Sequence, residues 1–439
     1  MSYPNESKLR NLLEQFHLYS QLQEDYGAAG IEKLWQQAEQ SLQSIVDTLK
    51  ALPVDSTLAE REPNDLARIR QLRPDGPRRL GDRWNRFVYR ERLEGAFFGR
   101  VAGNLLGAPV ENCSIEYMAN LARENEDPFP PVDYWKYVPQ PFELHNEFSR
   151  REAYSRTKMN GIPVDDDLVY TLLGLLIMEA YGPNFTTSDA AKAWLNYLPF
   201  AYTAEEMTLR NLKAGIPALE AGAVDNPFTE WIGADIRADP WGYLAPGWPE
   251  LAAELAYRDA YLSHRRQGIY GEMFFAAAIS AAFSVSDPLE AIRIGLTEIP
   301  AACQLAHAIQ WALDEIPHIK TYRQAREAVD RHFPGMASVH TLNNACLTVF
   351  GIGIGGTDLT RVIGETVAMG LDNDCTAATA GSIVGATIGK AGIPAHWIAN
   401  FNDRMATYMN GLPQVSITDV LDRFTEQAFR VYSAYNGKE

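Results

Sequence analysis

The residues best suited to chemistry fall in two acidic segments about two hundred positions apart. In the first, Gly161 to Tyr170 reads GIPVDDDLVY and sets Asp165, Asp166 and Asp167 in front of a helix. Leu168, Leu172, Leu175 and Leu176 form the apolar stripe of that helix, and Gly182-Pro183 ends it. One acid there is an ordinary N-cap, accepting from exposed amides and facing the positive end of the helix dipole. Three in succession exceed what capping needs. Adjacent carboxylates repel each other unless a cation lies among them, so the run suits a hard-metal site as well as a capped, solvated helix start.

The second segment, Met369 to Thr376, reads MGLDNDCT. It places Asp372 and Asp374 in a short turn between a helix bearing Val362, Ile363 and Val367 and a helix of small residues, AATAGSIVGATIG. Gly370 falls where a left-handed C-cap glycine belongs. Carboxylates two apart in a turn can converge on one cation, whereas an Asx turn with an N-cap is the plain alternative.

The elements that must position these acids are helices. From about Arg92 onward, helical periods of ten to twenty residues dominate and alternating β-branched strands are nearly absent, so the main body is all-α. Two helices carry glycines at every fourth residue: Gly95, Gly99, Gly103 and Gly107 in one, and Gly381, Gly385 and Gly389 after Ala377 in the other. Glycine inside a helix costs about 1 kcal/mol relative to alanine. A compensating reason is therefore required, and close backbone approach of another helix, or of the two glycine helices to each other, supplies it. Membrane pairing does not, because Arg100, Asn104 and Lys390 interrupt the segments.

Residues 1–90 read as a helical N-terminal extension and linker, and residues 91–439 as the main helical domain. Leu9, Leu12, Leu13 and Phe16, then Ile31, Leu34, Leu42 and Ile45, mark two or three amphipathic helices in the first 52 positions. Prolines and charges in 53–85 suit a connecting segment with one short helix around Asp65 to Leu72. Between 125 and 165, Pro128, Pro130, Pro131, Pro139, Pro141 and Pro163 predict a long ordered loop.

The 439 residues, 46% of them hydrophobic, provide for a substantial core. Thirty-nine basic against 56 acidic residues leave a formal charge of -17, which opposes attraction to nucleic acid or anionic lipid. No secretory leader or membrane-spanning run is evident, so a cytoplasmic protein is expected. Cys113, Cys303, Cys346 and Cys375 show neither zinc-cluster nor disulfide-framework spacing and read as buried thiols. The residues leave oligomeric state open.

Taken with GAFFGRVAGNLLGAPVE from Gly95 to Glu111, the two acidic segments resemble in order and context the metal-site blocks of the ADP-ribosylglycohydrolase family. That family has a glycine-rich first helix ending in GDxxGxxxE, a TDDT block, and a GGDTDT block leading into a helix of small residues. The resemblance covers roughly residues 91 to 400. It implies that residues 91–439 are the catalytic domain, with catalytic roles for Glu111, Asp166 and Asp167. It implies metal ligation by Asp165, Asp166, Asp167, Asp372, Asp374 and Cys375.

The DDD run fits TDDT in two registers. With Asp165 at the first threonine, Asp166 and Asp167 are the paired acids; with Val164 there, a ligand oxygen is lost. The first keeps three oxygen donors, and Asp166 is implicated in both. Cys375 stands where the family has a threonine ligand, and a soft thiolate suits Mg²⁺ or Mn²⁺ poorly. Either water or Thr376 completes the shell, or metal preference has changed. Asn104 stands where the family often has aspartate, which removes one negative charge.

The resemblance further implies substrate contacts from TEWIGADIRADPWGY, residues 229–243, with Gly233 and Ala234 at a phosphate, and from DAYLSHRRQGIYGE, residues 259–272, with His264, Tyr270 and Gly271. Asn104 and Asn344 join this set. The implied activity is hydrolysis of the glycosidic bond of ADP-ribose on a protein side chain or small acceptor. Two Mg²⁺ or Mn²⁺ ions are implied, with Ca²⁺ also compatible with oxygen ligands. Two alternatives stand beside it: a metal-dependent hydrolase of another ribosyl compound, such as a nucleoside or nucleotide sugar, and a non-catalytic helical ligand-binding protein.

Overall fold

The computed structural model describes residues 3, 6–81, 85–139 and 151–436. These fall into two compact units, 1–60 and 61–439. The part of the expected proline-rich loop that includes Pro141 lies outside the described residues.

In the first unit, helices α1 (Ser7–Asp25) and α2 (Ile31–Lys50) form a hairpin. Its turn uses Gly27 at φ 72° and Gly30 at φ 91°, conformations that penalise any side chain. The rings of Phe16 and Trp35 meet at 4.8 Å between the helices. Neither helix contains a buried residue.

The second unit begins with a strap whose short helix α3 (Leu66–Leu72) is capped by Asp65, which accepts from the Arg68 amide. The sequence reads this stretch as linker, yet Arg70 pairs with Glu254 at 2.5 Å, and Arg73 with Glu250 and Glu298 at 2.5 Å each. Eight longer helices build and flank the acidic segments: α4 (Arg86–Gly107), α5 (Asp166–Tyr181), α6 (Thr203–Lys213), α7 (Gln267–Ala282), α8 (Thr341–Gly355), α9 (Leu359–Ala368), α10 (Asn373–Ile388) and α11 (Ile417–Asn436). Among the described residues the only strands are the two-residue pair Met405–Ala406 and Gln414–Val415, so the fold is all-α. No described helix is long and apolar enough to cross a membrane.

All residues of α7 are buried, as are those of α5 from Asp167 to Met178. Helices that are apolar all round belong at the centre of a domain. The central packing event joins α4 to α10. A Cβ at Gly95 would overlap the Gly385 carbonyl, one at Gly99 the Gly381 carbonyl, and one at Gly103 the Ala377 carbonyl. The reciprocal overlaps at Gly381 and Gly385 fall on Gly99 and Gly95. The two glycine stripes are therefore each other's partners, packed backbone against backbone, and at the last step Gly107 abuts the backbone of Asp374.

At the second acidic segment the structure differs from the expected turn. Gly370 (φ 73°) and Leu371 (φ 60°) complete the chain reversal, so Asp372 is the N-cap of α10 and Asp374 lies in its first helical turn. The Asn373 side chain fixes this start by donating to the Val367 carbonyl at 3.0 Å.

The glycine seam makes a specific stability prediction. In an open helix Gly→Ala adds stability, about 1 kcal/mol. Gly99→Ala places a methyl on a carbonyl that cannot rotate away, and overpacking of that kind costs roughly 1–3 kcal/mol. Chemical denaturation should show a net loss of stability; a gain would mean that the stripe does not serve close approach.

Candidate active site

Two helix N-termini face one another across the end of the glycine seam. Asp165 caps α5 by accepting from the Asp167 amide at 3.1 Å, with Asp166 and Asp167 in the first turn. Asp372 and Asp374 occupy the matching places on α10. Glu111 follows the short 3-10 turn Ala108–Val110 that ends α4, and the Asn112 amide ties that segment to the Leu371 carbonyl at 3.0 Å. Carboxylate oxygens of Glu111, Asp372 and Asp374 lie within 4.8 Å of one another, and so do ligand atoms of Asp167, Asp374 and Cys375.

A cleft opens over this cluster. Glu111, Asp166, Asp372, Asp374 and Cys375 line one side, and Tyr170, Tyr202, Trp231, Ile232 and Gly233 line the rest. The wall from 229 to 237 is held in place by an antiparallel bridge between Trp231 and His340 and by the Ile232 amide on the Val339 carbonyl at 2.9 Å.

The acids are supported from beneath. Asn104, fully buried on α4, donates through Nδ2 to Asp165 Oδ1 and Asp167 Oδ2, at 2.8 Å each. An aspartate there would present a third carboxylate to two others; the amide presents two hydrogens instead. Arg100, one turn earlier, reaches Asp239 Oδ2 at 2.6 Å, Thr171 Oγ1 at 2.8 Å and Asp167 Oδ1 at 3.4 Å. Asn344 accepts from the Asp372 amide at 3.3 Å and so orients the α10 N-terminus.

Even with Arg100 present, burial raises the Asp167 carboxyl to about 7, helped by Asp166 and Asp372. Asp374 is pushed well above the usual carboxylate range by burial, then by Glu111 and Asp372. Burial and the neighbouring aspartates push the Cys375 thiol well above its usual range. Asp374 Oδ1, Asn104 Oδ1 and Thr376 Oγ1 are buried polar atoms with no hydrogen-bond partner among the described residues. An excess of buried carboxylates with such oxygens left over is a donor set that fits hard divalent cations.

The remaining expected residues divide. Gly233 lines the cleft, with its bare Cα face against the Glu205 carboxylate. Ala234, His264, Tyr270 and Gly271 are not among the lining residues. Ala234 is fully buried, and the Tyr270 hydroxyl donates to the Pro63 carbonyl at 2.6 Å. Gly271 packs against Asp235. His264 is fully buried with Nδ1 2.8 Å from Ser263 Oγ; burial, then the charges of Arg237 and Arg265, keep it neutral. Of the four cysteines, Cys303 and Cys346 are buried, whereas Cys113 and Cys375 are half-buried.

Glu205 and Tyr202 carried no signal in the sequence, whereas Trp231 falls in the 229–243 segment expected at the substrate. Glu205 lies in the first turn of α6, where acids are ordinary, and only the fold brings it to the cleft. Burial raises it to about 7 despite Arg237, which holds Glu205 Oε1 at 2.5 Å and Asp259 Oδ2 at 2.6 Å.

Asn104→Asp tests the electrostatic design. At pH 7.5 without added cation, a third carboxylate against Asp165 and Asp167 should lower Tm by several degrees. At pH 5 the raised pKa values restore a proton to the cluster, so most of the loss should disappear. A Tm loss equal at both pH values would assign Asn104 a packing role only.

The sequence profile of the ADP-ribosylglycohydrolase family matches residues 86–434. No curated protein matches the chain. Among solved structures, an ADP-ribosylglycohydrolase-related protein complex is similar at 18% identity and a TM-score of 0.49, covering 79% of this chain and 98% of that one. With the profile spanning α4 through α11, which includes both acidic helix starts and the glycine seam, the chain belongs to the ADP-ribosylglycohydrolase family.

Proposed function

We propose that the chain is a metal-dependent hydrolase that cleaves the N- or O-glycosidic bond of ADP-ribose linked to a protein side chain or small acceptor. The observation that carries this reading is the meeting of Glu111, Asp167, Asp372 and Asp374 within one small volume beneath a cleft. Asp166, Asp167, Asp372 and Asp374 would hold Mg²⁺ or Mn²⁺, two ions in the preferred reading, and Ca²⁺ also suits an all-oxygen set. Such ions, when bound, polarise ribose hydroxyls and lower the pKa of water. Thr376 offers a hard oxygen beside Cys375, whose soft sulfur is a poor ligand for such ions.

The chain's own groups then have separate tasks. Glu111 is half-buried at the cleft wall, and its carboxylate carries the proton between water and the departing acceptor. Hydrolysis joins the water oxygen to the anomeric carbon while the bond to the acceptor breaks and the acceptor takes up a proton. Asn104 and Arg100 fix the carboxylate orientations of Asp165 and Asp167. Tyr170, Tyr202 and Trp231 provide aromatic faces for the sugar or base.

One observation favours a second reading. No Lys or Arg is among the described residues lining the cleft, and Glu205 sits against Gly233, where a phosphate was expected. A diphosphate gains no direct cationic side chain there, whereas a nucleoside or another uncharged ribosyl compound needs none. Turnover assays with Mg²⁺ on ADP-ribosylarginine, ADP-ribosylserine, ADP-ribose derivatives and nucleosides separate the two. Release from nucleosides alone would replace the first reading by the second.

The metal requirement has its own test. A carboxyl whose folded pKa is raised contributes stability that is complete below its unfolded pKa and is lost as pH rises through the folded value. For Asp167 that window runs from 3.8 to about 7. Without cation, Tm should therefore fall between pH 5 and pH 7.5, and Mg²⁺ should raise it at pH 7.5 by roughly 3 °C or more at saturating concentration but little at pH 5. Asp374→Asn should abolish both that increment and turnover while leaving the cation-free protein no less stable at pH 7.5. An equal Mg²⁺ increment in the variant would place the cation elsewhere.

A further inference from the structure

We infer that the N-terminal unit is a self-association module, in which the α1–α2 hairpins of two copies of this chain pack as a four-helix bundle. The pattern of α2 is the basis. Ile31, Ala38, Ile45 and Leu52 recur every seven residues, and Trp35, Leu42 and Leu49 recur between them with the same period. Spacings that alternate four and three mark a helix whose apolar seam meets another helix. Leu34 and Val46 beside the seam widen it to the stripe of a bundle. The opposite face carries Gln36, Gln40, Gln43 and Ser44.

This stripe is not used up within the hairpin. Only Phe16, Ser20, Ile31 and Ala38 are even half-buried in the two helices. Outside them Ile45 is 57% exposed, Leu49 61% and Leu52 62%. α1 contributes a second uncovered row, with Leu9 at 53% and Leu12 at 62%. Isolated helices of this length are marginal in water, and most of their stability comes from packing an apolar face. Twelve large apolar side chains of the two helices are exposed, a concentration beyond the scattered single apolar residues of an ordinary surface.

The occupant follows from chemistry and symmetry. The seam recognises an apolar helical face, and the hairpin itself offers such faces, so a two-fold axis satisfies both copies at once. Each helix has two basic and three acidic residues, so the chain's net charge of -17 is carried almost wholly elsewhere and the hairpins meet with little repulsion. The polar face of α2 is glutamine-rich, unlike the Lys/Arg-rich face of a helix that lies on anionic lipid.

Sedimentation equilibrium of the full chain tests the inference. At about 10 μM, a typical working range for micromolar association, the mass should be that of two 49.0 kDa chains. Leu42→Glu with Leu49→Glu should weaken association by at least ~100-fold, since each buries a charge in the bundle. Gln36→Glu with Gln43→Glu, on the opposite face, should leave the mass unchanged. Because the seam variant could also melt the hairpin, Ile45→Cys provides a check: a bismaleimide should join two copies through that position but not through Gln43→Cys. A monomeric full chain at these concentrations, or a dimer that survives the seam variant, overturns the inference.

Discussion

The catalytic unit depends on one contact, the backbone-to-backbone packing of α4 on α10. Three glycines of α4 rest on the carbonyls of Gly385, Gly381 and Ala377, and a fourth, Gly107, rests on Asp374 itself. The same surface that joins the helices thus sets the depth at which Asp374 stands. It also sets where Asn104 stands, on the same helix, and where Glu111 stands, just past the 3-10 turn that ends it. A larger residue anywhere along the seam would tilt α4 and move every acid that it carries or supports. Interiors this dense transmit such shifts instead of absorbing them.

The second constraint is charge. Burying several carboxylates within a few ångströms is unfavourable, and the fold answers by three means. Each pair of acids stands at a helix N-terminus, where exposed amides and the dipole favour anions. Asn104 donates where an acid would repel, and Arg100 supplies one buried positive charge that Asp239 already shares. What remains uncompensated appears in the raised pKa values of Asp167 and Asp374. A divalent cation would offset that residue of repulsion, so the destabilised carboxylates and the proposed chemistry have the same origin.

A separate arginine organises the far wall. Arg237 binds Glu205 and Asp259, approaches Glu272 at 3.3 Å, and lies 5.1 Å over the Trp194 ring. Its charge helps burial to keep His264 neutral, and burial leaves Glu205 able to take up a proton near pH 7. None of this was legible in the sequence. Arg237 lies in a segment that reads as substrate loop, and its carboxylate partners come from three other helices. By contrast, the acidic helix starts, the glycine stripes and the all-α class were legible, because each rests on short-range spacing or on helical period. The approach of Asp167 to Asp374 could be expected only through family resemblance, since no local pattern specifies which distant helices pack together.

The start of the second unit shows the same division between local and distant information. Proline and charge in 53–85 read as a linker, and composition alone supports that. The charges of the strap nevertheless find buried or half-buried partners. Arg73 meets Glu298, which is 1% exposed, and the strap's own Glu62, also 1% exposed, meets Arg266. Glu62 Oε1 further accepts from the Gln304 amide at 2.9 Å, closing the start of another helix. A charged segment thus belongs to a core when it supplies the counter-ions of charges that the core buries. Removing the strap would strip Glu298 of the guanidinium groups of Arg73 and Arg78, and Arg266 of the Glu62 carboxylate. Breaking one side of a buried pair costs about 3–5 kcal/mol. The second compact unit therefore starts at Arg61, well before the first glycine helix at Arg86.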